Sequence, residues 1–159
     1  MVTHIDSVNN QIQSLCITEQ SIKKSIHSFP HGSSAGPDGL RPQLLKDMIS
    51  SITGNAGKRI TKALTSIANI MLEGQVPVVV LPFLYSARLC ALRKSDGGIR
   101  PIAIGGTIRR TVAKAACRES SKQCSSFLSP IQLGIGTRFG AEAATHAMRR
   151  FLNNHEDTE

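Results

Sequence analysis

The chain of 159 residues has no tryptophan, one tyrosine and five phenylalanines, so aromatic residues make up 4% of it. Its core must be aliphatic, and nucleic-acid binding that relies on stacked aromatic rings is poorly supplied. Four cysteines (Cys16, Cys90, Cys117 and Cys124) form no CxxC pair and no metal-like grouping with histidine. That spacing predicts small buried hydrophobes in a reducing compartment, not a disulfide framework. Long apolar runs are missing too. The most apolar stretch, 76–85, is interrupted by Pro77 and Pro82 and is too short to cross a bilayer. The opening MVTHIDSVNN has no basic patch followed by an apolar segment, which predicts no secretory signal and an intracellular location, nuclear or cytoplasmic.

Several catalytic signatures are absent as well. No GxxxxGK[ST] occurs, and the GxGxxG pattern that starts at Gly134 fails because Phe139 occupies the last glycine position. No GxSxG elbow is present. The five histidines have no carboxylate or cysteine at metal-ligand spacing. Acidic residues are in deficit, 11 against 19 basic ones, for a net charge of +8. Charged residues are 19% and hydrophobic ones 40% of the chain, which fits a globular domain with a polyanionic partner.

The charge is uneven. Residues 1–40 carry a net −1, 41–95 carry +6, and 96–159 carry +3. Between Arg88 and Lys122, nine cations face two acids, Asp96 and Glu119. Helical spacing of Ile22, Ile26 and Phe29 after Thr18 predicts a helix over 18–28, ended by Pro30. Gly36-Pro37-Asp38-Gly39 predicts a β-turn, and Pro42 begins a second helix. A polar break over 51–57 precedes a third helix, whose apolar side is read as Ile60, Leu64, Ile67, Ile70 and Met71, with Gly74 as its stop. Strands are expected at 85–93 and 99–104, joined through Lys94-Ser95-Asp96-Gly97-Gly98 as a hairpin. Thr107 then caps a helix to about Lys122. On it Arg110, Lys114, Arg118 and Lys122 recur every four residues, while Ile108, Val112, Ala115 and Ala116 face inward. Residues 131–140 read as a loop and 141–153 as a closing helix. The expected fold class is helix-rich α+β with a small antiparallel β-hairpin.

The ordered segments SAGPDGLRPQLL (34–45), EGQVP (73–77), ARLCALRKSDGGIRPIAIGGTIRRTVAKA (87–115) and LSPIQLGIGTRFGAEAATHAMRR (128–150) resemble the fingers portion of reverse transcriptases from non-LTR retrotransposons of the LINE-like or R2-like kind. The resemblance covers roughly residues 15–152. DGGIRPIAIG with its preceding lysine is the specific part, and GPDG alone is a weaker signal. The resemblance implies an RNA-directed DNA polymerase whose fingers hairpin closes over the incoming deoxynucleoside triphosphate. The matching phosphate-gripping residues are Lys94 and Arg100, with Arg93 beside them. An arginine fork and a mobile lysine charge suit that task chemically. RNA or DNA template-primer, contacted without sequence preference, is the implied partner of Arg109, Arg110, Lys114, Arg118 and Lys122.

The family's two Mg²⁺ ions are held by aspartates in an apolar strand and a YADD-like turn. Here Asp6, Asp38, Asp47, Asp96 and Asp157 lie scattered, with no Asp-Asp pair. The expectation is therefore a fingers fragment without the catalytic palm and inactive alone. It has no catalytic or metal-binding residue of its own, and Mg²⁺ belongs to the complete parent enzyme. Within it, 1–14 form an N-terminal tail, 15–152 the partial reverse transcriptase domain, and 153–159 a polar tail at a truncation point. No membrane association is expected, and exposed apolar surface predicts self-association. The alternatives are a non-enzymatic basic RNA- or DNA-binding module and an unselected pseudogene product.

Overall fold

The computed structural model describes residues 15–155 apart from Ser129, with the side chains of Lys122 and Gln123 also outside the description. The expected tails over 1–14 and 156–159 lie outside the described residues. The chain divides into two compact units, Met1–Ala116 and Cys117–Glu159. The fold is α+β and dominated by helices, with one two-stranded antiparallel sheet among the described residues.

Among the described residues the first element is α1, Glu19–His27, where Thr18 caps the helix by accepting a hydrogen bond from the Ser21 amide at 3.2 Å. The helix α2, Pro42–Met48, has proline in its first turn, where the missing amide costs nothing. The expected break over 51–57 is shorter than the composition suggested. One 3₁₀ turn, Ser51–Thr53, leads directly into α3, Gly54–Leu72. The single Thr53 hydroxyl proton is shared between the Ser50 carbonyl, 2.7 Å from Oγ1, and the Met48 carbonyl at 3.0 Å, which closes that turn. At the other end of α3, the Gly74 amide donates to Met71 O and the Gln75 amide to Ile70 O. That pair of bonds satisfies two terminal carbonyls, as a Schellman motif does.

The core is aliphatic, as the composition requires. Ile17, Ile22, Ile26, Leu45, Leu64, Ala68, Val112 and Ala115 form one buried cluster, and Ile49, Ile60, Met71 and Ile108 pack against it. Its composition corrects the reading of α3. The buried row is Gly57, Thr61, Leu64 and Ala68, whereas Ile67 and Ile70 are exposed. Small residues on the inward row let α1 lie close to α3, and the Thr61 hydroxyl is satisfied by Gly57 O at 2.8 Å. One polar side chain ties the start of the unit down. Asn69 Oδ1 accepts from the Ile17 amide at 2.8 Å, and its Nδ2 donates to the Ile17 carbonyl at 3.2 Å.

A short helix α4, Leu81–Tyr85, precedes the hairpin of β1, Ala87–Arg93, and β2, Ile99–Gly105. The register pairs Arg88 with Ile104, Cys90 with Ile102, and Leu92 with Arg100. Pro101 pairs with Ala91 on a strand that has a free edge, the setting in which a strand tolerates proline. The helix α5, Thr107–Leu128, runs six residues beyond its expected end. No glycine or proline interrupts the sequence before Pro130.

The second unit contains the C-terminal part of α5 and α6, Gly140–Asn153. Gly140 is its one buried residue among those described. Phe127, Ile131, Phe139, Met148, Phe151 and Leu152 are exposed. The cysteine expectation also needs correction. Cys16, Cys117 and Cys124 are exposed and Cys90 is half-buried, all as free thiols.

Candidate nucleotide-phosphate and nucleic-acid interface

The hairpin turn is built by its own backbone. The Lys94 amide donates to Gly98 O at 2.8 Å, and the Gly97 amide donates to Lys94 O at 3.1 Å. Gly97 has φ +84°, a conformation that a residue with a Cβ adopts at a cost. Asp96 Oδ1 accepts from the Gly98 amide at 3.0 Å, bracing the tip. This geometry brings Arg93, Lys94 and Arg100 to the rim of one hollow of about 460 Å³, lined also by Leu92, Ser95 and Asp96.

Directly paired residues of an antiparallel ribbon share a face, and successive residues alternate. Arg88, Cys90, Leu92, Arg100, Ile102 and Ile104 therefore occupy one face. Ala87, Leu89, Ala91, Arg93, Ile99, Pro101 and Ala103 occupy the other. Arg93 and Arg100 thus stand on opposite faces and share only the turn end of the ribbon. The guanidinium groups of the first face, on Arg88 and Arg100, have no hydrogen-bond or ion-pair partner among the described residues. The second face is apolar apart from Arg93, with Leu89 and Ile99 largely exposed.

The basic residues of α5 are arranged differently from those of the hairpin. Arg109 donates to the Tyr85 carbonyl at 2.7 Å. Arg110 donates to the Ser34 carbonyl at 2.5 Å and to Thr107 Oγ1 at 3.2 Å. Lys114 donates to Ser28 Oγ at 3.3 Å. Both Arg110 and Lys114 lie over the Phe29 ring, 5.3 Å and 4.6 Å from its centroid, within cation–π range. All three cations are half-buried. Helical periodicity set Arg110 and Lys114 on one stripe, but it could not show that Phe29 and the loop after it come to lie against them. Arg118 belongs to the second unit and is half-buried; the Lys122 side chain lies outside the described residues.

These contacts hold the loop over 30–40. The expected β-turn is present: the Gly39 amide donates to Gly36 O at 3.2 Å, with Pro37 and Asp38 between them. Asp38 Oδ1 accepts from the Leu40 amide at 3.1 Å. The buried Thr107 hydroxyl donates to the Leu40 carbonyl. Gly36 lies against the backbone of Gly105 and Gly106 at the end of β2. Sequence reasoning missed Thr107 and Asn69 as pins, because a single polar residue signals such a contact only once its distant partner is known.

Among the described residues, no group of three or more His, Cys, Asp and Glu side chains is positioned to hold a metal ion. No helix among the described residues is long and apolar enough to cross a membrane. Compared with family models, curated proteins and solved structures, the chain matches none.

Proposed function

We propose that the chain is a nucleotide- and nucleic-acid-contacting module of reverse-transcriptase type. It corresponds to the fingers of a non-LTR retrotransposon enzyme and does not polymerise DNA by itself. Its hairpin grips the phosphates of an incoming deoxynucleoside triphosphate through Lys94 and Arg100, with Arg93 at the same tip, while neighbouring cations meet the template-primer backbone. One observation carries this reading. The segment RKSDGGIRPI folds into a braced hairpin tip where three cations rim one hollow. None of their three charged side-chain groups has a hydrogen-bond or ion-pair partner among the described residues. The lone carboxylate of that hollow, Asp96, is engaged with the Gly98 amide. Free cations held on a rigid turn suit a triphosphate, which needs several positive charges at once.

The test is binding of a labelled deoxynucleoside triphosphate by the full chain. Arg100→Gln and Lys94→Gln should each weaken it by about tenfold, as expected for a lost charge-assisted hydrogen bond. Arg138→Gln, in the other unit, should leave it unchanged. Retention unaffected by Arg100→Gln would sink the assignment of the hairpin. Primer extension on an RNA template should stay at background with Mg²⁺ or Mn²⁺. Extension abolished by Arg100→Ala would overturn the claim that the chain does not polymerise alone.

The non-enzymatic alternative, a basic RNA- or DNA-binding module, predicts salt-sensitive binding of nucleic acid with no response to triphosphate.

A further inference from the structure

A second cationic groove lies away from the hairpin tip. It is about 380 Å³ and is lined by Gly32, Ser33, Ser34 and Ala35 of the loop, by Arg41, and by Arg88, Cys90 and Ile104 at the base of the hairpin. No carboxylate lines it. Arg41 and Arg88 are exposed, and their guanidinium groups have no hydrogen-bond or ion-pair partner among the described residues. Two unopposed guanidinium groups facing one concavity repel each other, and an anion between them relieves that repulsion.

The walls of the groove are held in advance. Arg110 fixes the Ser34 carbonyl, Thr107 fixes the Leu40 carbonyl, and Gly36 abuts Gly106. A ligand entering it therefore orders little of the protein, which favours affinity. The groove also opens onto the ribbon face that carries Arg100. Arg88 lies four residues along β1 from Leu92, the partner of Arg100, a separation of about 13 Å at ordinary strand rise. Cations spaced along a line suit a polymer of repeating charges better than a compact anion, which needs them gathered around one point.

We infer that the groove between the 30–40 loop and the base of the hairpin binds a backbone phosphate of single-stranded nucleic acid through Arg41 and Arg88, and that the strand continues toward Arg100. This rests on the nucleic-acid part of the proposed function and not on polymerase chemistry. Phosphate contacts of this kind orient a strand without reading its sequence.

Cys90 in the groove wall provides the readout. In a full-length chain whose exposed Cys16, Cys117 and Cys124 are changed to serine, Cys90 is the remaining thiol. Its reaction rate with N-ethylmaleimide is measured with and without a twelve-nucleotide oligouridylate. The RNA should slow the reaction by about fivefold or more at saturation. Arg41→Gln with Arg88→Gln should remove the protection, weaken RNA binding by about fivefold or more, and lower the salt slope by roughly 0.7, the share of one phosphate on a single strand.

Equal protection in the doubly substituted chain would overturn the proposal. So would equal protection by inorganic phosphate at the same phosphate concentration, since that outcome means a site for small anions. Thermal melting of the variant checks that the loss is not unfolding. RNA protection of Cys90 without triphosphate binding at Arg100 upholds the groove and sinks the polymerase reading. Triphosphate binding without protection does the reverse.

Discussion

Replacing Gly36 by alanine tests how the 30–40 loop is seated. A Cβ at this position would stand 2.6 Å from Gly106 Cα, 2.7 Å from Gly106 N and 2.8 Å from the Gly105 carbonyl carbon. All three are backbone atoms, so no side-chain rotation relieves the clash. The loop and the start of α5 must separate until the closest gap reaches at least the 3.4 Å of ordinary contact. Overpacking of this kind costs about 1–3 kcal/mol. The same movement strains the bonds from Thr107 to Leu40 and from Arg110 to Ser34, each contributing a net of about 0.5–1.5 kcal/mol. Alanine restricts the unfolded chain and returns about 0.4–1 kcal/mol. The expected net loss is about 2–3 kcal/mol, a large share of the ~5–15 kcal/mol that holds a typical domain together.

Urea unfolding followed by circular dichroism reads that loss. With a slope of about 1–3 kcal/mol per molar urea, the midpoint should fall by roughly 1–2 M. Gly39→Ala is the control. Gly39 has φ +72° and open space where a Cβ would go, so its cost is backbone strain alone, about 1–2 kcal/mol. If Gly36→Ala unfolds at the wild-type midpoint, or no earlier than Gly39→Ala, the tight seating of the loop on the β2–α5 junction is wrong.

Other perturbations probe separate links. Asn69→Leu leaves the Ile17 amide and carbonyl without their partner and should cost about 1–3 kcal/mol by denaturant titration; an unchanged midpoint would remove Asn69 as the pin of that segment. Phe29→Leu and Lys114→Met form a double-mutant cycle whose coupling should be about 0.5–1 kcal/mol, and strict additivity would mean that the ring and the ammonium do not interact. Ile26→Ala, at a fully buried position, should cost about 2–5 kcal/mol. Ile52→Ala, at a position 94% exposed, should stay within about 0.5 kcal/mol of the parent; equal losses at the two sites would place the core elsewhere. Light scattering at high concentration should show self-association driven by exposed Val78, Val79 and Phe83, and a monodisperse monomer would oppose it.

Local chemistry was legible in the sequence. Thr18 before an amphipathic run, proline at the start of α2, Gly74 after α3 and Lys94–Gly98 between two strands each specify structure through contacts a few residues apart. The elements they bound are present where those signals lie. An aliphatic core also followed from composition, because few aromatics were available to build anything else.

What tertiary structure decided is which side of each element is buried and which cations remain free. Periodicity placed Ile60, Leu64 and Met71 on the core side of α3, but the buried row also takes Gly57, Thr61 and Ala68 and leaves Ile67 and Ile70 exposed. The regular cations of α5 read as one stripe. Arg109, Arg110 and Lys114 instead meet Tyr85, Ser34, Ser28 and Phe29, some 24 to 86 residues away in sequence. Arg41 and Arg88, which no local pattern singles out, come to line one groove because the loop docks on the end of β2. A charge pattern fixes spacing along one element, whereas a site requires side chains from several elements to converge, and only folding brings those distant residues together.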